Sequence, residues 1–460
     1  MNDQLIAKFT QSLRGMAIGR EHPEYQEARR LYNAMIDKRP LLIARCADVA
    51  DVIAALKFGR ENSLPIAVRG GGHNGPGLGS VDDGLVIDLS TMKGVRVDPK
   101  NMTARVGPGC TSGDVDHATQ AFGQAVPFGI VSTTGVAGLT LSGGHGYLTR
   151  QYGLTVDNLI EADVVLADGS FVTASEAENA DLMWALRGGG GNFGIVTSFL
   201  FRTNPVAMVY GGPIVFEFSD AATVMKWFRD NQPKAPDQFY MFLGLQSVPP
   251  ADPFPTEHWS KKMCVIVVSH AGPLPEGEKA VNAVRAALPK PIIDWAQPMP
   301  YMMIQTLFDA LLPKGLQWYW KGDFVKELPD AAIEAHLAHA AKLPSVLSAM
   351  HLYPVDGAAR RQKKDATAWG HRDVAWSMAI CGVDPDPAMA PNLKNWAQAY
   401  WKAVHPFDLE GAYPNFMMGD EGEARVRAAY GGNYERLSVL KKKYDPENLF
   451  RVNQNIYPAA

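Results

Sequence analysis

Two glycine runs are placed to touch a phosphate: Gly70-Gly71-Gly72-His73-Asn74-Gly75 and Gly189-Gly190-Gly191-Asn192-Phe193-Gly194. Both match GxGxxG, the spacing that seats a dinucleotide pyrophosphate on a helix N-terminus in a strand–turn–helix unit. The order of elements is wrong for that use. The first run follows the strand-like PIAVR but leads into GPGLGS, which does not open a helix. The second follows a helix and leads into the strand-like IVTSFLF. A Rossmann site, and with it an NAD-dependent dehydrogenase, is excluded on that ground. Glycine without a Cβ still lets successive backbone N–H groups close on an anion. Any one such loop reads equally well as a tight turn between strands. Three of them, at 70–79, 129–146 and 188–194, are better explained together by one elongated ligand laid along several loops.

The elements that must hold these loops change character along the chain. Residues 1–35 read as amphipathic helix, with Leu5, Ile6, Phe9 and Leu13 at near-helical spacing, then a loop around Arg20 to Tyr25. From 36 to 206, β-branched runs (LLIARC, PIAVRG, GLVIDLS, GVRVD, TARVGPG) mix with helices at Ala47 to Asn62 and Ser112 to Phe122. Thr111 or Ser112 caps the second helix, with Asp114 in its first turn. Residues 123–155, rich in Gly, Ser and Thr, look like loop. ADVVLADG and GSFVTAS form a hairpin turning at Asp168-Gly169, followed by a helix at Asp181 to Leu186. From 207 to 410 the runs GGPIVFEFS, YMFLGLQS, MCVIVVSHAG, HLYPVDG and WSMAICG, with helices after Asp220 and Glu276, predict an antiparallel sheet with helices on one side. Trp318, Tyr319 and Trp320 alternate along a further strand, so one face can wall a pocket. Residues 411–460 hold a helix from Glu421 to Tyr430, continuing to Lys443. The class is α+β, not a regular βαβ ladder.

Composition removes several function classes. The 44 Lys and Arg against 48 Asp and Glu leave a net charge of −4, without the basic excess of a nucleic-acid binder. The short runs Arg360-Arg361 with Lys363-Lys364, and Lys441 to Lys443, read as solvated surface. Cys46, Cys110, Cys264 and Cys381 are scattered and form no CxxC pair, so neither a disulfide framework nor a metal site is suggested. The polar start lacks the apolar region of a signal peptide, and no segment approaches a membrane span; a cytoplasmic enzyme is expected. Oligomeric state is not legible.

Four stretches in this order carry a family likeness: PIAVRGGGHN; VSTTGVAGLTLSGGHGYLTRQYGLTVDN; ADLMWALRGGGGNFGIVT; and GAYPNF with YDPENLFRVNQNI. The chain resembles the berberine-bridge-enzyme-like branch of the vanillyl-alcohol oxidase superfamily, from about residue 36 to 457. The resemblance implies a PCMH-type FAD domain of two α+β subdomains (36–206). It further implies a substrate domain whose antiparallel sheet roofs the flavin (207–410), and a C-terminal segment (411–460) that returns to complete the flavin site. In the family the histidine of the RGGGH motif is joined to the flavin, which here implicates His73. A second link, through a cysteine, falls at Val131 and is therefore absent, leaving a single covalent bond. Carried-over contacts are Arg69, Gly70, Gly71, Gly72 and Asn74 at the pyrophosphate, and Val131, Gly135, Gly138, Gly143 and Gly144 along the flavin. Asp157 and Asn158 lie in the YGLxxDN stretch, Ile195 and Val196 by the adenine, and Asn453 and Asn455 near the ring edge.

Oxidising an alcohol or amine C–H needs a hydride acceptor and a base for the heteroatom proton. The family's YxN motif assigns the base to Tyr413, with Asn415; a packing role for Tyr413 is the plainer alternative. His371 resembles a roof-strand histidine and is a second candidate, an exposed hairpin histidine being equally consistent. Arg372 and Asp373 read as an ion pair. His145 stands where the family has an aromatic or aliphatic residue, and nothing in the sequence accounts for it. The implied activity is an FAD oxidase on a small alcohol, sugar or amine, with oxygen as acceptor. The alternatives are a dehydrogenase using another acceptor and a non-catalytic flavin binder.

Overall fold

A computed structural model describes residues 3–460 and builds three sheets. The first contains β1 (Met16–Gly19), β2 (Leu42–Arg45), β3 (Ile66–Arg69) and β4 (Leu85–Asp88) in the order β1-β2-β4-β3. β2, β4 and β3 are parallel, and their residues are mostly buried on both faces, as a covered parallel sheet requires. The helix Val49–Glu61 supplies the cover on one side, capped by the Asp48 carboxylate on Ala50 N and Asp51 N.

The expected N-terminal helix is shorter than its pattern suggested. It spans Asp3–Ser12, its first two expected residues lying outside the described residues, and Met16–Gly19 instead forms β1, antiparallel to β2. The buried Asp51 carboxylate explains the change, since it accepts hydrogen bonds from Arg14 N, Gly15 N and Ala47 N at 2.8 Å each. Gly15 is also pressed to the sheet, where a Cβ would sit 2.0 Å from the Arg45 carbonyl oxygen.

The second sheet is antiparallel: β5 (Val95–Asp98), β6 (Thr103–Val106), β7 (Leu159–Val165), β8 (Phe171–Ser175) and β9 (Ile195–Arg202), in the order β5-β6-β9-β7-β8. The helix Ser112–Gln120 is capped by Thr111, one of the two expected residues, and Asp114 completes a capping box with it. Residues 123–155 are not simply loop, because Val136–Leu141 and Thr149–Tyr152 are short helices between glycine turns.

The third sheet holds β10 (Met208–Glu217), β11 (Phe239–Ser247), β12 (Lys262–His270), β13 (Ile293–Asp294), β14 (Gln297–Pro300), β15 (Gln317–Val325), β16 (Ala349–Pro354) and β17 (Trp376–Asp384). Its path is β13-β10-β12-β11-β16-β17-β15, with β14 also on β10. Two further helices, Asp330–Ala340 and Ala390–Val404, join those at Ala221–Asn231 and Leu274–Ala287. Ile333, Ala397, Phe228 and Val281 from these four helices share one buried cluster with the sheet.

The last segment returns to the second sheet. Tyr430, Tyr434, Leu437 and Leu440 share a core with Phe199 and Phe201. The expected single helix is broken into Glu423–Tyr430 and Tyr434–Tyr444, with Gly431 at φ +53° at the break. Lys441 is not solvated surface. It is fully buried, donating to the Asn192 and Phe450 carbonyls at 2.8 and 3.1 Å and pairing with the buried Asp445 at 2.7 Å. Arg360, Arg361, Lys363 and Lys364 are exposed as expected.

Candidate active site

A single cleft is lined by all three sheets and the C-terminal segment. Its glycine-rich part is formed where β3 ends. Gly70, Gly71 and Gly72 follow the strand, and the next glycine loop crosses them so closely that Gly71 and Gly135 pack backbone to backbone. A Cβ on Gly71 would lie 2.5 Å from Gly135 Cα, so no side chain can yield to admit it. Arg69 lines this end as well. Its Nη2 donates to Asp88 at 2.7 Å, and its buried Nη1 has no partner in the protein. Asn74, Val131, Gly135, Gly138, Ile195, Val196 and Asn453 also line the cleft. Asn453 is fixed by donating to Gly191 O at 2.9 Å, and Asn74 accepts from Leu78 N at 2.9 Å.

His73 projects into the same space. Its ring stacks on Tyr32 with centroids 3.8 Å apart, and its Nε2 lies 3.2 Å from Thr133 Oγ1. Burial lowers its pKa to about 4, so the imidazole is uncharged at neutral pH. The buried Asn33 ties this loop to the third sheet. Its Nδ2 donates to Gly75 O and Trp318 O at 2.7 and 3.0 Å, while its Oδ1 accepts from Trp318 N at 3.0 Å.

Tyr413 enters from the C-terminal segment. Its hydroxyl oxygen accepts from Asn415 Nδ2 at 2.7 Å and from Gly144 N at 3.0 Å. Burial pushes the phenol pKa up to about 12, and the two N–H donors oppose that rise without overcoming it. The roof is made by alternate residues of neighbouring strands: Trp318 and Trp320 on β15, His351 and Tyr353 on β16, Ala379 and Cys381 on β17, and Gln246 on β11. Tyr319 points the other way and bonds Asp420, as strand alternation requires. His351 is satisfied within the roof, at 2.9 Å from Gln246 Oε1 and 2.5 Å from the Tyr353 hydroxyl.

Several expected contacts lie outside this lining. His371 is turned away: its Nε2 bonds the Ala428 carbonyl at 3.0 Å and its ring packs on Phe324 at 4.5 Å. It is a brace, not a substrate-facing base. Arg372 does not pair with Asp373; it forks onto the half-buried Asp157 at 2.7 and 2.8 Å, and Asp373 pairs with Lys364. Asn158 is likewise structural, donating to Tyr152 O and Leu154 O. Gly143 and Gly144 adopt positive φ beneath Trp369 and Thr155, and they act through the loop that holds Tyr413. Asn455 stands outside the lining with its buried Oδ1 unpartnered. Tyr32, Asn33, His351, Tyr353 and Gln246 had no motif to mark them, although the HLYP alternation placed two of them on one strand face.

The residues fit a dinucleotide. Arg69 keeps a free donor at the glycine loops, the contacts at Gly71 and Gly135 exclude a Cβ, and the cleft continues without charge to an aromatic box around Tyr413. Gly71→Ala is therefore expected to give protein with little or no flavin absorbance per chain, read against the parent after identical purification.

Comparison with known proteins agrees with this geometry. The FAD binding domain family matches residues 40–175, and the berberine and berberine-like family matches residues 412–457. An FAD-linked oxidoreductase of Dictyostelium discoideum is 31% identical over 462 residues, covering 99% of this chain and 97% of that protein. Glucooligosaccharide oxidase of Sarocladium strictum is 28% identical over 461 residues, covering 93% and 89%. The crystal structure of 6-hydroxy-D-nicotine oxidase from Arthrobacter nicotinovorans superposes with a TM-score of 0.85 at 27% identity, covering 97% of this chain and 99% of that one. The chain is an FAD-linked oxidoreductase and belongs to the berberine-bridge-enzyme-like branch of the vanillyl-alcohol oxidase superfamily.

Proposed function

We propose that this enzyme is an oxidase that removes hydride from a CH–OH or CH–NH carbon of a small organic molecule. Its FAD is joined to the ring of His73, and oxygen takes up the electrons as hydrogen peroxide. Bound FAD supplies the hydride acceptor. In this reading residues 36–206 hold the cofactor, 207–410 enclose the substrate, and 411–460 complete the site.

The observation that carries the reading is the hydroxyl of Tyr413, buried in the cleft and held by two N–H donors. Those donors stabilise negative charge on its oxygen, the form needed to take a proton from the substrate's heteroatom. Asn415 and the Gly144 backbone thus position the base, and the aromatic roof keeps water from the reacting carbon. His73 supports the tether because its imidazole is uncharged, held in place by Tyr32 and Thr133, and open to the cleft.

Acid precipitation separates tethered from dissociable flavin. The parent pellet is expected to stay yellow, and a His73→Ala pellet to turn colourless while that variant still binds FAD before acid. A parent that releases all its flavin removes the tether from the proposal. Mixing reduced enzyme with air in a stopped-flow instrument tests the acceptor: rapid return of oxidised flavin with peroxide supports an oxidase, and persistent reduced flavin assigns a dehydrogenase.

A further inference from the structure

We propose that His145 is a substrate-recognition residue that anchors a hydroxyl group of an uncharged, largely apolar ring compound. The proposal rests on the cleft being the site of hydride removal. It adds the class of molecule that enters, and the side chain that selects it.

His145 is 6% exposed, lines the cleft, and neither of its ring nitrogens has a partner. Buried polar atoms left unpaired are rare, and those that persist in a native site call for an explanation. Packing alone does not supply one. The ring sits among Tyr413, Tyr353 and Phe416, with centroid separations of 4.7, 5.5 and 5.6 Å, a setting that a phenyl group would fill without stranding two polar atoms.

The backbone on either side of it is held in place. Gly144 N donates to Tyr413, Gly146 N donates to Thr149 Oγ1, and Thr155 N donates to Gly144 O. The second cleft histidine of this region, His351, is already engaged by Gln246 and Tyr353, so His145 is the imidazole left to meet a ligand. Burial keeps it neutral, with its pKa lowered to about 3. A neutral imidazole offers one N–H donor and one lone pair, which is the complement of a hydroxyl group.

The rest of the lining limits what carries that hydroxyl. Among the described residues, Arg69 is the one formally charged side chain lining the cleft, and it belongs to the glycine end, paired with Asp88. The substrate part offers Phe308, Leu311, Leu347 and Val383 with the rings of Trp318 and Trp320, whose two indole N–H groups are the other unpartnered donors there. A cation or an anion would be desolvated there without a counter-charge, and a sugar would bury more hydroxyls than the few free polar groups can meet. A flat, neutral ring system with few hydroxyls suits these walls.

The test uses flavin-loaded enzyme and reads binding from the change in the flavin absorbance spectrum on titration. Naphthol is expected to bind at least about tenfold more tightly than naphthalene, the size of effect expected when a buried hydrogen-bonding group gains its partner. His145→Phe should abolish that preference with flavin content unchanged, and His145→Gln, which keeps a donor and an acceptor, should restore part of it. Cellobiose and benzylamine should perturb the spectrum only at far higher concentration. A His145→Phe enzyme that still prefers naphthol overturns the proposal, and so does comparable binding of cellobiose or benzylamine. A preparation that neither contains nor takes up flavin is a different failure, and it removes the underlying reading of the cleft.

Discussion

Tyr413→Phe is expected to slow flavin reduction by substrate about 10²- to 10⁴-fold, the span over which a positioned acid or base acts. Flavin content should be unchanged, since the lost hydroxyl takes part in hydrogen bonds only with Asn415 and Gly144 and the ring itself is kept in its buried cluster. The pH dependence gives an independent check. With the phenol pKa pushed up to about 12, the reactive phenolate is scarce at neutral pH and grows as pH rises. Parent enzyme should therefore speed up across the alkaline range in single-turnover mixing. The Phe variant should be flat there. A variant that keeps both the rate and the alkaline rise would return Tyr413 to a packing role.

Lys441→Met should destabilise the fold by about 3–5 kcal/mol, because removing one partner of a buried pair leaves the other charge uncompensated. Asp445 is fully buried, and besides Lys441 it accepts from Leu449 N and Phe450 N at 2.8 Å each, so it cannot turn to water. The lysine also holds Asn192 O, and Asn192 in turn donates to Gly189 O and Gln454 O at 2.9 and 3.1 Å. Thermal unfolding should begin at lower temperature, and retained flavin should fall with it. Equal loss of stability in an exposed control such as Lys442→Met would remove the assignment.

The contrast between neighbouring lysines shows where sequence reading stops. Lys441, Lys442 and Lys443 form one basic run, and only the turn of the helix Tyr434–Tyr444 decides that the first faces Asp445. Short strands such as Ile66–Arg69 and Leu85–Asp88 were legible because β-branched runs were bounded by turn residues. The alternation of Trp318 and Trp320 about Tyr319 was legible for the same reason of period. Val136–Leu141 was not, since glycine and threonine mask helical spacing and its N-cap Gly135 makes no side-chain cap. His371 misled because a motif fixes residue type but not the direction of a side chain, which Phe324 and the Ala428 carbonyl decide here. The roof cluster Gln246–His351–Tyr353 is spread over two strands about a hundred residues apart in sequence, and only their pairing at Leu245↔Met350 brings it together.

The return of the C-terminal segment has a consequence for how the polypeptide matures. Phe450, Val452 and Asn453 wall the cleft that Gly70–Gly72 begin, yet some 380 residues of translation separate them. A nascent chain still on the ribosome therefore carries the early loops without their closing wall, while the eight-stranded sheet is made in between. With the C-terminal segment completing the cofactor site as proposed, prosthetic-group uptake is expected to follow release of residues 450–453, and prematurely terminated products are expected to stay pale.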